Sequence, residues 1–337
     1  MVVLDGALGE GGGQILRTAL TLSVLTGRHF RMFNIRARRS RPGLLRQHLA
    51  AVRAAAAISG AETDGDVLGS QELVFRPQRI RGGSFEFDVG SAGSATLVLQ
   101  TVMIPLLCAS EPSHVVCKGG THNPAAPPYD FVASVYLPVL RRMGANVTAT
   151  LQRYGFYPRG GGRFTVEIEP LQRWLPLELT ERGALQAVLA RALVADLPPH
   201  IAHRELQVVR EMLGWRQQEL VTEVLPPGQG PGNVLLLSME GEHLVEMAVG
   251  FGQKGVRAEE VAREACAAAH RYLSAGVPVG VHLADQLLLP LALAKGRFRT
   301  LAPSSHTETN RLVIEQFLDC SIRFEQRGTD DVLVSVG

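Results

Sequence analysis

Lysine is nearly absent from this chain, which has three Lys and thirty-one Arg among 337 residues. Arginine holds phosphate through paired hydrogen bonds and stacks on bases, both of which lysine does less well. Genome composition or thermal adaptation explains most of such an excess. The formal net charge is only +2, so the overall charge does not indicate a nucleic-acid-binding protein.

Cysteines and long apolar runs are also few. The four Cys have no metal-ligand spacing, and two of them lie in apolar segments typical of a protein core, which fits a reducing cytoplasm. The longest apolar run, about residues 97–109, is too short for a membrane span and contains Gln100. No signal-peptide pattern begins the chain. We therefore predict a cytoplasmic globular protein, and its length favours two domains.

A glycine-rich junction near the start of the chain carries the first functional signal. It reads Gly9-Glu10-Gly11-Gly12-Gly13-Gln14-Ile15-Leu16-Arg17. Such backbone approaches a ligand closely, and the helix that follows has free N–H groups that suit phosphate, with Glu10 able to hold a hard metal ion. The spacing is neither a P-loop nor a dinucleotide-binding motif. On spacing alone, a plain strand-to-helix turn is the favoured interpretation.

The same pattern recurs twice, and this recurrence strengthens the functional interpretation of the first junction. Small residues at 90–94 and at 280–286 each lead into a nearly all-apolar segment. A helix that is apolar on every side is typically buried. The sequence therefore predicts three similar units, each directing a helix N-terminus toward a common centre.

Periodicity supports an α/β fold. Phe85, Phe87 and Val89 alternate with acidic residues as in a half-buried strand, and helical spacing of apolar residues follows each glycine-rich junction. A stretch of different character lies between Thr180 and Gly276. We predict units one and two at residues 1–180, a small inserted α/β domain at 181–276, and the third unit at 277–337.

At this point the motifs resemble the RNA 3′-terminal phosphate cyclase family over essentially the whole chain. Besides the first junction, they are Arg41-Pro42-Gly43-Leu44-Leu45-Arg46-Gln47-His48, Gly90-Ser91-Ala92-Gly93-Ser94, Asn123-Pro124-Ala125-Ala126-Pro127-Pro128, Gly155-Phe156-Tyr157-Pro158, Leu283-Ala284-Asp285-Gln286 and Pro303-Ser304-Ser305-His306. The resemblance implies three repeats of two helices on a four-stranded sheet, with an inserted domain of thioredoxin-like topology.

The resemblance also implies a reaction. ATP adenylylates a histidine and pyrophosphate leaves; the adenylate passes to an RNA 3′-phosphate; the neighbouring 2′-hydroxyl then closes a 2′,3′-cyclic phosphate and releases AMP. Neutral imidazole is a good nucleophile near pH 7, and arginines neutralise phosphate charge. ATP and a divalent cation, Mg²⁺ or Mn²⁺, are the implied cofactors, and RNA with a 3′-phosphate end is the implied partner.

By motif position, His306 is the implied nucleophile. It follows a Pro-Ser-Ser turn at a predicted helix start, where the helix dipole is expected to lower the pKa of the imidazole and keep it neutral. Glu10 is the implied carboxylate on the metal and pyrophosphate side; a solvated acid in a turn is the alternative.

Six residues are candidates for binding the RNA-end phosphate. Arg17 lies in the first predicted helix, where a charge is out of place unless it faces a site or forms a salt bridge at the helix end. The others follow in the arginine-rich loop and the next helix: Arg38, Arg39, Arg41, Gln47 and His48. For Gln47 and His48, a polar pair at the core edge is the alternative.

The resemblance assigns a second group to ATP or AMP. Its members are Gln100, Pro127, His282, Leu283, Ala284, Asp285 and Gln286. Gln100 lies in an apolar helix, so its amide must either bond a neighbouring strand or contact the nucleotide. Asp285 is an alternative helix cap. His282 stands where relatives have Tyr and can stack on adenine, with Pro127 on the other side.

Three other functions compete with the cyclase interpretation. A non-catalytic cyclase-like protein of RNA processing or ribosome assembly would lack the nucleophile, and His306 argues against it. Enolpyruvyl transferases have a related repeat but a different basic set and no such inserted domain. A plain RNA-binding module resembling a translation initiation factor domain would show no ATP dependence.

Overall fold

The structure, a computed structural model describing residues 1–337, has four four-stranded β-sheets covered by helices. This confirms the predicted mixed α/β class. None of the helices combines the length and the apolar character that crossing a bilayer requires.

The first sheet is formed by residues 1–76. Its elements are β1 (Val2–Asp5), α1 (Gly13–Thr26), β2 (Phe30–Phe33), α2 (Arg46–Ser59), β3 (Glu62–Asp64) and β4 (Leu73–Arg76). The strand order is β1-β2-β4-β3, with β1 and β2 parallel and the other neighbours antiparallel. The parallel pair needs a crossover, and α1 provides it.

Two further sheets have the same strand order. The second contains β5 (Gly83–Asp88), α3 (Ala95–Leu107), β6 (Ser113–Gly119), α4 (Tyr129–Phe131), a π-helical turn (Val132–Tyr136), α5 (Leu137–Arg142), β7 (Asn146–Arg153) and β8 (Gly162–Glu169). The third contains β9 (Leu177–Leu179), and the elements that complete it follow much later in the chain. In both, the first two strands are parallel and the remaining neighbours antiparallel.

The fourth sheet lies within the interruption of the third. It contains β10 (Leu185–Ala195), α6 (His200–Leu213), a 3₁₀ turn (Gln217–Glu219), β11 (Leu220–Val224), β12 (Gly232–Gly241), β13 (Val245–Phe251) and α7 (Ala258–Ala275), in the order β11-β10-β12-β13. The third sheet then resumes with α8 (Val281–Ala294), β14 (Gly296–Thr300), α9 (Ser305–Phe317), β15 (Ile322–Gly328) and β16 (Asp331–Val336).

The fourth sheet is buried on both faces. Because side chains alternate along a strand, Ala192 and Val194 of β10 pack with α6 and α7, whereas Leu193 and Ala195 join the core shared by the other three sheets. The sheet is therefore attached to the rest of the molecule through a packed apolar surface.

Helices from all three similar sheets meet near one point. Gln14 of α1 donates to Asn310 of α9 over 3.2 Å, and Gln100 of α3 donates to Gln286 of α8 over 2.6 Å. α3 and α9 begin with serine caps, Ser94 and Ser304, which accept the N–H of the third helical residue. This meeting point contains the candidate site.

Candidate active site

His306 and Glu10 meet, although 295 residues separate them in the chain. The Nδ1 atom of His306, the second residue of α9, lies 3.0 Å from a carboxylate oxygen of Glu10. The other oxygen of Glu10 accepts a hydrogen bond from Arg39 over 3.1 Å. His306 is 49% exposed and Glu10 11% exposed, so the imidazole is open to a ligand while the carboxylate holds it from behind.

The pKa of His306 is raised, so the predicted lowering by the helix dipole is wrong. The hydrogen bond that the ring donates to Glu10 is the main cause and outweighs the burial that opposes it. Burial alone raises the pKa of Glu10, but the bond to His306 and the charges of His306, Arg39 and Arg17 hold it below its usual value. A carboxylate in direct contact with the ring stabilises its proton more than the helix terminus destabilises it.

Arg17 and His48 flank the start of α1. Arg17 is half-buried and donates to Gln14 over 2.7 Å, but no carboxylate lies within ion-pair distance. Burial lowers its pKa to about 10, against the opposing charge of Glu10, so it remains a cation at pH 7. A Cβ on Gly13 would lie 2.4 Å from Nε2 of His48 and 2.9 Å from Arg17, so glycine is needed there.

His48 is buried and neutral. Its Nδ1 accepts the backbone N–H of Leu45 over 3.2 Å, and burial, aided by the charges of Arg17 and Arg36, lowers its pKa to about 3. Its proton is therefore on Nε2, the atom that faces Gly13. His48 is available as a neutral donor beside Arg17.

Asp285 orders the start of the helix that carries His306. Ser304 donates to its carboxylate over 2.9 Å, and Thr307 donates to the same oxygen. The alternative that Asp285 caps its own helix is wrong, because Gly280 is the N-cap of α8. Burial raises the pKa of Asp285 against the lowering effect of both hydroxyl donors.

The half-buried amide of Gln100 donates to Gln286 and does not bond to a neighbouring strand. Both line a small polar cavity of about 50 Å³ together with Arg17, Asp285 and Asn310. This space holds a few water molecules and is open to solvent on one side. A nucleotide would therefore approach Gln100 and Gln286 from that open side.

The other predicted nucleotide-binding residues are unequally accessible. His282 is exposed in the first turn of α8, but the side chains of Leu283 and Ala284 are buried in the core. A ligand can reach these two only through their backbone, so contact by their side chains is excluded; the N–H of Leu283 lies in the first helical turn, where it has no intrahelical acceptor. The carbonyl of Pro127 accepts a bond from Thr96 over 2.7 Å.

The arginine loop, residues 36–43, contains arginines that bind within the protein and arginines that have no acidic partner. Arg36 holds it closed by donating to the carbonyls of Arg41 and Gly43. Arg39 contacts Glu10, whereas the exposed side chains of Arg38 and Arg41 have no acidic partner. The side-chain oxygen of Gln47 accepts a hydrogen bond from the backbone N–H of Ser94 over 3.2 Å. This oxygen is therefore already bound to the second unit.

A buried charged network near the proline-rich loop was not predicted from the sequence. His122 Nε2 lies 2.7 Å from Asp130, whose second oxygen accepts from Arg191 over 2.7 Å, and Arg191 also pairs with Glu223. Burial raises the pKa of Asp130, but these partners lower it to about 2. The network ties the loop containing Pro127 to the fourth sheet. Its only sequence signal is the run of polar residues beginning at Thr121.

Glu10, which lies beside His306, is the candidate metal ligand. No three His, Cys, Asp or Glu side chains of the chain come together as a metal-binding group. Mg²⁺ is commonly held by one or two carboxylates plus substrate phosphates and water. A carboxylate next to His306 and Arg39 fits such a cation only in company with a bound phosphate.

Comparison with known proteins agrees with this site. The family model described as RNA 3′-terminal phosphate cyclase matches residues 8–324. A protein of that name from Pseudomonas fluorescens is 52% identical over 337 residues, covering 100% of this chain and 97% of its own length. One from Koribacter versatilis is 49% identical over 327 residues, covering 97% and 92%.

The fold and the site thus define an α/β protein in which separate units bring together a histidine, a carboxylate and several arginines. The extent of the match identifies the group more closely. This chain belongs to the RNA 3′-terminal phosphate cyclase family.

Proposed function

We propose that the chain converts an RNA 3′-phosphate end to a 2′,3′-cyclic phosphate at the expense of ATP, through covalent AMP on His306. The contact between Nδ1 of His306 and Glu10 carries this proposal. It keeps a proton on Nδ1, so the lone pair of the neutral ring is on Nε2.

In the first step, Nε2 forms a bond to the α-phosphorus of ATP. The bond from that phosphorus to its bridging oxygen breaks, and pyrophosphate leaves with the electron pair. Glu10 stabilises the positive ring that results, and Arg39 and Arg17 face the phosphate charge. A divalent cation bound with the help of Glu10 would neutralise charge on the departing pyrophosphate.

In the second step, an oxygen of the RNA 3′-phosphate attacks the AMP phosphorus and the P–N bond breaks, which returns the electron pair to Nε2. The 2′-oxygen then attacks the 3′-phosphorus, AMP leaves, and the 2′-hydroxyl proton is lost to solvent or a base. Arg38, Arg39 and Arg41, with Arg17, Gln47 and His48, are proposed to hold the RNA phosphate. His282, Pro127, Asp285, Gln286, Gln100 and the backbone of Leu283 and Ala284 are proposed to surround the adenosine.

The proposed domain division follows the sheets. The body comprises residues 1–180 and 277–337, and 181–276 is the inserted domain. Three sheets of equal strand order support three repeats, and a separate apolar cluster with α6 and α7 supports the insertion. Strand β9 precedes the insertion and pairs with β14, so the third repeat is proposed to begin before residue 181.

The direct test is incubation of the purified chain with ATP, a divalent cation and an oligoribonucleotide ending in a 3′-phosphate. We expect the end to become resistant to phosphatase, with one AMP released per end. The same oligonucleotide with a 3′-hydroxyl is the control and should release no AMP. ATP-independent binding without end modification would instead favour the non-catalytic alternative.

Replacing Glu10 by glutamine tests the pairing with His306 through its pH dependence. Because protonated imidazole cannot attack, AMP attachment falls below the pKa of His306, and the Glu10 charge raises that pKa. In Glu10→Gln, the acidic limb of the rate profile should move to lower pH, together with a lower maximum rate. Single-turnover labelling with ATP across pH 5–9 measures both.

Glu308→Gln is the matched control, since Glu308 lies on the same helix but pairs with Arg311. Its acidic limb should stay within a few tenths of a unit of the parent. An unchanged or upward-shifted limb in Glu10→Gln would contradict the proposed pairing.

A further inference from the structure

A large groove lies between the first and second similar units, and of its lining residues only Arg41 and Gln47 have a role in the steps above. Its volume is about 870 Å³, and we call it the inter-unit groove. Arg41, Gln47 and Leu68 line it from the first unit, and Gly93, Leu97 and Tyr157 from the second. The groove is large enough for a nucleotide.

The charged side chains that line this groove are all positive. Arg41 and Arg46 line it, and no Asp or Glu does. Arg46 donates to the carbonyl of Gly90 over 2.9 Å, whereas the guanidinium of Arg41 is exposed and has no ion pair. An anionic ligand is therefore the electrostatically matched occupant.

The walls of the groove suit a planar apolar group between these charges. Tyr157 is 68% exposed and Leu68 is 56% exposed, and both line the groove from opposite units. Leu44, Leu97 and several small residues complete the apolar lining. Exposed aromatic rings beside arginines are the usual surface for stacking bases of a single strand.

The groove is held in shape by backbone contacts. The N–H of Leu44 donates to Ser70 over 3.0 Å, and the N–H of Gly69 returns a bond to Leu44 over 2.8 Å. The bond from Ser94 to Gln47 connects the opposite wall. A ligand therefore meets a preformed surface and orders few groups on binding.

The groove continues directly from the candidate site. Arg39 contacts Glu10 and Arg41 lines the groove, and two residues of chain span at most about 7 Å. Likewise, His48 faces Gly13 while its neighbour Gln47 lines the groove. In both segments, a residue of the candidate site and a residue of the groove are therefore only one or two positions apart.

We propose that the inter-unit groove binds the penultimate nucleotide of the RNA, with its base stacked on Tyr157 and its phosphate facing Arg46 and Arg41, the latter shared with the terminal 3′-phosphate. This inference rests on the proposed function and adds a subsite that recognises a strand beyond its terminal nucleotide. It makes the chain selective for polynucleotide ends over free nucleoside 3′-phosphates without reading base identity.

The test pairs a protein change with a substrate change. Tyr157→Ala should raise the KM for an oligoribonucleotide 3′-phosphate roughly tenfold, because one base loses its stacking partner. An abasic penultimate residue should raise the KM of the parent by a similar factor and add nothing further in Tyr157→Ala. Tyr157→Phe retains the ring and should behave like the parent.

Two measurements separate this inference from the proposed function. Covalent labelling with ATP in the absence of RNA should be equal in the parent and in Tyr157→Ala; if the parent takes no label, the proposed function itself fails. A higher KM for ATP in Tyr157→Ala without RNA would assign the groove to the nucleoside triphosphate and overturn the inference. So would an unchanged KM for the oligonucleotide, or an equal effect of an abasic residue placed six nucleotides from the end.

Discussion

Replacing His306 by alanine should remove covalent AMP and end cyclisation together. The side chain supplies the only imidazole in contact with Glu10. Loss of a covalent nucleophile lowers rates by about a thousandfold or more. The measurement is transfer of label from α-labelled ATP to the protein, followed by a denaturing gel and an acid-lability test for the phosphoramidate.

His203→Ala is the matched control, because His203 is exposed on α6, outside the site. It should take label at the parent rate. Since His306 is half-exposed and its helix is capped by Ser304, His306→Ala should also keep the parent melting temperature. If His306→Ala still took an acid-labile label, the chain would still be an adenylylating enzyme, but His306 would not be its nucleophile.

Local structure could be predicted from the sequence because it depends on neighbours in the chain. Alternation at Phe85 and Phe87 predicted a strand, and the glycine junctions predicted helices opening at about residues 12, 90 and 280. The helices begin at Gly13, Ala95 and Val281, so the second prediction was five residues early. Sheet pairing could not be predicted in this way. That β9 pairs with β14 across the whole insertion depends on packing between residues more than a hundred positions apart.

The motifs included His306, Glu10 and Arg39, which the structure brings into contact, but the interactions of these residues could not be predicted. The pKa of His306 was predicted with the wrong sign because the helix dipole is a local property, whereas the contact with Glu10 is tertiary. Leu283 and Ala284 were predicted as ligand contacts by their place in a motif, although helix geometry points their side chains into the core. Likewise, the carboxylate of Asp285 accepts a hydrogen bond from Ser304 at the start of α9 and does not cap its own helix, α8.

Asp285 also shows why residues from different units belong to one site. Its carboxylate holds the first turn of α9, and its carbonyl accepts a bond from Asn310 over 2.9 Å. Asn310 in turn accepts from Gln14 of α1. The helix that carries His306 is thus fixed by two other helices, which is the support that an accurately placed nucleophile requires.

Arg17, in contrast to Asp285, carries a charge that lowers the stability of the fold. It is half-buried, its pKa is lowered to about 10 by burial, and a neutral amide is its hydrogen-bond acceptor. A desolvated cation without an ion pair reduces the stability of a fold. An unpaired cation of this kind is expected at a phosphate-binding site, because the bound phosphate then pairs with the charge that has no partner in the free protein.

Replacing Arg17 by methionine should therefore separate activity from stability. Methionine keeps the length of the side chain and removes the charge, so kcat/KM for the RNA end should fall by about 100- to 1000-fold. The melting temperature of the free protein should stay equal or rise by about 2 °C, since the uncompensated charge is gone. Steady-state cyclisation and calorimetry measure the two effects.

Arg17→Lys and Arg53→Met complete the comparison. The lysine variant retains a charge without the paired donors and should lie between the parent and Arg17→Met in activity. Arg53 is exposed on α2 without an ion pair, so its methionine variant should match the parent in both measurements. Strong destabilisation of Arg17→Met with full activity would make Arg17 a structural residue. Its burial next to Glu10 would then serve the helix junction and not the phosphate.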